Sequence, residues 1–178
     1  MSYYKVISES DDIKLLKKDN KFKLELDTQV SESCNLIKLI NKNLFFDLLS
    51  KISPKILKEY RIEPHEEEGK SNIFLILNEL DEDEDEKLYI TFTQKIKQIG
   101  KSDVVIVGKN NNIILEGEDN KKVEIDDLVV NVKLIDNRLC IKLKVCYTGK
   151  KLPVFSDNII GHVFKKMFNN LILYCKNN

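Results

Sequence analysis

The chain has 178 residues, 42% of them apolar and 33% charged, with 29 charges of each sign and no net charge. That much apolar material excludes wholesale disorder. The balance of charge excludes whole-molecule attraction to nucleic acid or to an anionic membrane and leaves only local patches for such contacts. No stretch approaches the roughly 20 apolar residues that span a bilayer.

Residues 1–20 read as an N-terminal extension, with a short strand at 3–7 and a helical turn at 13–18. A single α+β domain is expected over 21–178. From Phe22 the pattern alternates, with Phe22, Leu24 and Leu26 on one side and Lys23, Glu25 and Asp27 on the other, which marks a half-buried strand. Ser31 or Ser33 is placed to cap a helix. Leu36, Ile37, Ile40, Leu44, Phe45, Leu48 and Leu49 then recur at intervals of three and four, and the run from Asn41 to Asn43 divides them into two short helices.

The segment up to residue 149 reads as strands. Residues 56–62 and 73–80 are candidates. The clearest is 87–96, with Leu88, Ile90, Phe92 and Ile96 on one face and Tyr89, Thr91, Thr93 and Lys95 on the other. Strands at 104–107 and 113–115 flank a turn-like stretch at 108–112, and a further turn is expected at 117–120. Asp136 and Asn137 both tolerate positive φ, as a tight two-residue hairpin requires. That turn pairs Leu134 with Leu139, Val132 with Ile141, Val130 with Leu143 and Leu128 with Val145, apolar on both sides each time. A slip of one residue destroys the match. After Pro153, a helix over 156–175 carries Ile160, Val163, Phe164, Met167, Phe168, Leu171 and Cys175 as an apolar stripe. Lys165, Lys166, Asn169 and Asn170 lie off it.

The chemical motifs are sparse. Asp81, Asp83 and Asp85 have the spacing of a calcium loop, but Glu86 stands at the required glycine and Phe92 at the final bidentate position. A solvated acidic hairpin loop is the expectation. His65 precedes Glu66, Glu67 and Glu68 without a second histidine at the spacing of H-E-x-x-H, and His162 is the only other histidine. Cys34, Cys140, Cys146 and Cys175 form no C-x-x-C pair and read as free thiols. No G-x-S-x-G, Walker or G-x-G-x-x-G pattern occurs. The record points away from an enzyme, and no metal or cofactor is expected. The start, residues 1–12, is polar and acidic without the apolar core of a signal peptide, so a reducing cytoplasm, a nucleus or a virion interior is expected. Alanine and tryptophan are absent and Arg61 and Arg138 are the only arginines, a bias expected of an AT-rich protist or large viral genome.

The element order is a strand, two short helices, a long antiparallel run of six to seven strands, and a C-terminal helix. This order, with the strand pair over 128–147, the loop holding Gly149 and Pro153 and the amphipathic helix, resembles the helix-grip fold of the START and Bet v 1-like superfamily. The resemblance implies a curved sheet wrapped on the long helix, and between them a cavity for a lipid-like or other hydrophobic ligand. Its walls would be Ile90, Phe92, Val130, Val132, Ile141, Leu143, Phe164, Met167 and Phe168. Each of these also fits plain core. A second reading is a protein-interaction or structural module without a small ligand, acting through lysines of the outer sheet face, Lys95, Lys133, Lys142 and Lys144. A seven-strand barrel closed by a C-terminal helix, as in pleckstrin-homology domains, also fits the second half of the chain.

Overall fold

The computed structural model describes residues 3–78, 87–116, 120–148 and 154–178. The elements are β1 (Lys5–Glu9), β2 (Ile13–Lys18), β3 (Lys21–Gln29), α1 (Leu36–Asn41), α2 (Phe45–Ile52), β4 (Leu57–Pro64), β5 (Lys70–Leu77), β6 (Lys87–Gly100), β7 (Asp103–Asn110), β8 (Asn120–Lys122), β9 (Ile125–Ile135), β10 (Arg138–Tyr147) and α3 (Val154–Asn177). Among the described residues, nine strands follow one antiparallel path, β1-β2-β3-β10-β9-β7-β6-β5-β4, and β8 pairs in parallel with β6 beside it. The path ends in two edges, β1 and β4, so the sheet is open and the closed seven-strand barrel does not apply.

The sheet is larger than the six to seven strands expected from the sequence. Part of the excess comes from residues 5–18, which form the edge pair β1 and β2 of the same sheet. The segment 13–18, read as a helical turn, is a strand. Ile13 pairs with Leu26 and Leu15 with Leu24, and all four are buried on one face. Leu16 and the lysines around it mask this short alternation in the sequence.

The β9–β10 hairpin has the expected turn, with φ of 49° at Asp136 and 62° at Asn137. Its register is the expected one throughout the four apolar pairs, and a bulge follows between Cys146 and Tyr147. Elsewhere the local reading needs correction. Gly108 lies within β7 instead of starting a turn, opposite Gln94 on one side and Leu128 on the other. Residues 113–115 form no strand. Their segment is a strap over the outer face of β6, where the Thr91 hydroxyl donates to the carbonyl of Ile113 at 3.1 Å. Lys122 Nζ donates to the carbonyls of Asn111 and Ile113 at 2.5 and 3.1 Å. The acidic run 81–86 lies outside the described residues.

Helices α1 and α2 are separated as expected, with Asn43 at φ 63°. The N-cap of α1 is Asn35, which makes no side-chain capping bond. Ser31 and Ser33, expected to cap it, hydrogen-bond each other at 2.7 Å instead. Helix α3 extends two residues beyond the expected range at each end. Met167, Phe168, Leu171 and Cys175 of its stripe are buried, and Val163 and Phe164 are half-buried against the same core. Gly161 sits where a Cβ would lie 3.0 Å from Leu15 Cδ2 and 3.2 Å from Ile7 Cδ1. A Cβ there would press on the tips of those two side chains, which would have to give by a few tenths of an ångström.

Candidate functional site

The inner face of the sheet is one apolar surface. A single row crosses six strands as Ile96, Ile106, Val130, Leu143, Leu24 and Leu15. The next crosses as Val104, Val132, Ile141, Leu26 and Ile13. Helices cover this face in two places. Helix α3 lies over β2 and β3 and against α2, while α1 lies over β6, β7 and β9. Burial of each such aliphatic or aromatic side chain contributes about 1.5–3 kcal/mol, so this interface dominates the stability of the fold.

The residues expected to wall a cavity distribute along this layer. Val130, Val132, Ile141 and Leu143 are central to the inner face and buried. Ile90 and Phe92 are buried on β6, where Phe92 meets Phe46 of α2 edge to face at 5.4 Å. Met167 and Phe168 are buried and Phe164 half-buried on α3. Phe92 thus faces α2, while the three residues of α3 belong to the helix that lies over β2 and β3.

Sequence reasoning missed the polar members of this layer. Gln94 lies in β6 between Phe92 and Ile96 and is only 3% exposed. Its row neighbours across β7 to β3 are Gly108, Leu128, Val145 and Phe22, so it points inward. Gln94 Nε2 donates to Asn43 Oδ1, and Asn43 Nδ2 donates to the Ser71 hydroxyl at 3.0 Å. Gln94 Oε1 has no hydrogen-bond partner among the described residues. A buried acceptor left bare costs about 1–3 kcal/mol, so a donor supplied by a bound molecule would recover that cost. A polar residue at an apolar-face position of an alternating strand was the available signal. Tyr60 of β4 is a second polar group at the margin. Burial, and then the Asp47 carboxylate, push its phenol up to about 12, which keeps it a neutral donor.

The outer face carries Lys95, Lys133, Lys142 and Lys144, all exposed. The face is not uniformly basic. Lys133 pairs with Asp103 at 3.5 Å, and Arg138 holds Asp27 through two bonds of 2.7 and 2.8 Å. Lys142 stands opposite Glu25, whose carboxyl is held below its ordinary range, chiefly by the hydrogen bond from Lys23. Cys140 and Cys146 are half-buried on this face, and burial pushes both thiols up.

An open, curved antiparallel sheet with two short helices inserted after its third strand and a long C-terminal helix packed on its inner face is the START and Bet v 1-like helix-grip fold. The chain superposes on human STARD10 with a TM-score of 0.73 at 9% identity, over 97% of this chain and 72% of that one. It is similar to human StAR-related lipid transfer protein 5, with a TM-score of 0.69 at 6% identity over 98% of this chain and 86% of that one. It is similar also to the STAR-related lipid transfer protein of Xanthomonas axonopodis, with a TM-score of 0.65 at 9% identity over 97% of this chain and 98% of that one. No family model matches the sequence, and no curated protein matches it. Among the described residues, no helix is long and apolar enough to cross a membrane.

Proposed function

We propose that this chain binds a lipid-like hydrophobic molecule without catalysing a reaction, between the inner face of its sheet and the helices that cover it. The observation that carries the reading is the composition of the inner layer. It is an apolar surface crossing six strands, gripped by α3, and it holds a buried acceptor, Gln94 Oε1, that has no partner among the described residues. A mostly apolar enclosure with a few convergent polar groups is the usual character of a small-molecule site. The likeness of the fold to two domains named for lipid transfer supports the same reading. The ligand expected is an acyl chain or a fused-ring apolar body bearing one hydroxyl or amide donor, the donor meeting Gln94 and the apolar part lying along Val130, Val132, Ile141 and Leu143.

The test is titration with a fluorescent fatty acid, followed by displacement with unlabelled lipids that carry or lack a donor. Saturable binding of one probe per chain is expected, with donor-bearing competitors the stronger. Gln94→Leu should weaken those competitors and leave donor-free ones unchanged. Probe fluorescence that never saturates, or a Gln94→Leu variant with unchanged preferences, contradicts the proposal.

A further inference from the structure

Two thiols meet where the end of α3 packs on the loop between β3 and α1. Cys175 is in the last turn of α3 and fully buried, while Cys34 is half-buried two residues before α1. Their sulfurs lie within hydrogen-bonding reach of each other. The Ser31 N–H donates to the Cys175 carbonyl at 3.0 Å and fastens the loop to the helix. Cys34 also opens outward. It lines a surface pocket of about 520 Å³ together with Asn35, Asn41, Lys38, Lys42 and Lys101, and among the described residues no carboxylate lines it. The arrangement is a half-exposed thiol under three lysines, with a second thiol directly behind it.

We propose that Cys34 and Cys175 form a redox dithiol, in which Cys34 attacks glutathione disulfide held by the lysine-walled pocket and Cys175 closes an intramolecular disulfide. In the first step the Cys34 thiolate sulfur bonds to one sulfur of the disulfide. The bond between the two glutathione sulfurs breaks, and one glutathione leaves as a thiolate that takes up a proton. In the second step Cys175 gives up its proton and attacks the Cys34 sulfur, which expels the second glutathione as its thiol. Two protein thiols are oxidised and one disulfide is reduced to two thiols. Glutathione disulfide carries more carboxylates than ammonium groups, which suits a pocket with three lysines and no acid.

The local chemistry supports the division of roles. The hydrogen bond from Cys175, opposed by burial and aided by the backbone N–H of Leu36, lowers the Cys34 thiol, and the same contact pushes Cys175 up. A thiol held below its ordinary range attacks more readily as its thiolate, and the buried thiol behind it is the resolving one. Cys140 and Cys146, with thiols pushed up by burial, serve as internal controls.

The experiment is incubation of the reduced full chain with glutathione disulfide, followed by peptide mapping under acid quench. A Cys34–Cys175 cross-link is expected while Cys140 and Cys146 stay reduced. Cys175→Ser should trap glutathione on Cys34. The cross-link closes a loop of about 140 residues, so the oxidised chain should melt higher by about 10 °C. Lys42→Glu with Lys101→Glu should slow the reaction with glutathione disulfide but not with uncharged hydroxyethyl disulfide. Glutathione arriving on Cys140 or Cys146 as fast as on Cys34, a wild-type chain that never closes the cross-link, or equal slowing with both disulfides would overturn the proposal.

Discussion

Gly108→Ala tests the packing of the inner layer at its tightest point. A Cβ at Gly108 would lie 2.9 Å from Phe92 Cδ2, 3.3 Å from Phe92 Cε2 and 3.1 Å from Leu128 Cβ. Neither neighbour has a cheap way out. Phe92 is fully buried and held edge to face by Phe46, and the Leu128 Cβ is fixed by the backbone of β9. Overpacking of this kind costs about 1–3 kcal/mol. Alanine returns about 0.4–1 kcal/mol by narrowing the unfolded ensemble, since Gly108 does not occupy the left-handed region. The net expectation is a loss of about 1–2 kcal/mol, read as a melting temperature lower by roughly 2–8 °C for a chain of this size. Urea denaturation followed by far-ultraviolet circular dichroism measures it directly. The reasoning also fixes the coupling. In a Phe92→Leu background the ring is gone, so Gly108→Ala should cost less there by about 0.5 kcal/mol or more. A stabilising Gly108→Ala, or strictly additive effects of the two substitutions, would refute the contact as the cause.

Phe168→Ala should cost about 3–5 kcal/mol, because the ring is buried against the core and leaves a cavity, while Lys166→Ala on the exposed side of α3 should change stability by less than about 0.5 kcal/mol. Equal effects in thermal melts would mean that α3 does not pack as described. The Arg138 hydrogen bonds hold Asp27 below its ordinary value of 3.8. A carboxylate whose folded pKa is depressed adds stability that is present above 3.8 and lost as pH falls through its lower folded value. Stability measured from pH 5 to pH 2 should therefore fall less steeply in Asp27→Asn than in the parent, by a small amount because the pair is exposed.

The hairpin at Asp136–Asn137 was legible because turn chemistry and face alternation point to the same register, and no other register buries the same residues. The stripe of α3 was legible for a similar reason, since Phe164, Met167, Phe168 and Leu171 leave only one side for the sheet. β2 was harder. Six residues with three lysines and adjacent leucines at 15 and 16 carry almost no periodic signal, and only pairing with Leu24 and Leu26 assigns them to the sheet. Gly108 misled in the opposite way. Glycine reads locally as a turn, but here it is selected by a ring on the neighbouring strand, a contact invisible along the chain. Gln94 was passed over because its face was judged by its apolar neighbours, and the bond to Asn43, 51 residues away, appears only in three dimensions. The Cys34–Cys175 pair is of the same kind, with thiols far apart in sequence and joined by the return of α3 to the end of β3.

The most direct test of hydrophobic binding is where the ligand's protons lie. In a chain with labelled isoleucine, leucine and valine methyl groups and a bound unlabelled fatty acid, intermolecular nuclear Overhauser effects distinguish the two faces of the sheet. Val130, Val132, Ile141 and Leu143 report the inner face, and Val105, Val107 and Val129 alternate onto the outer one. Contacts from acyl protons to the inner set alone are expected. Contacts confined to the outer set, or none to either at saturating ligand, would contradict the account.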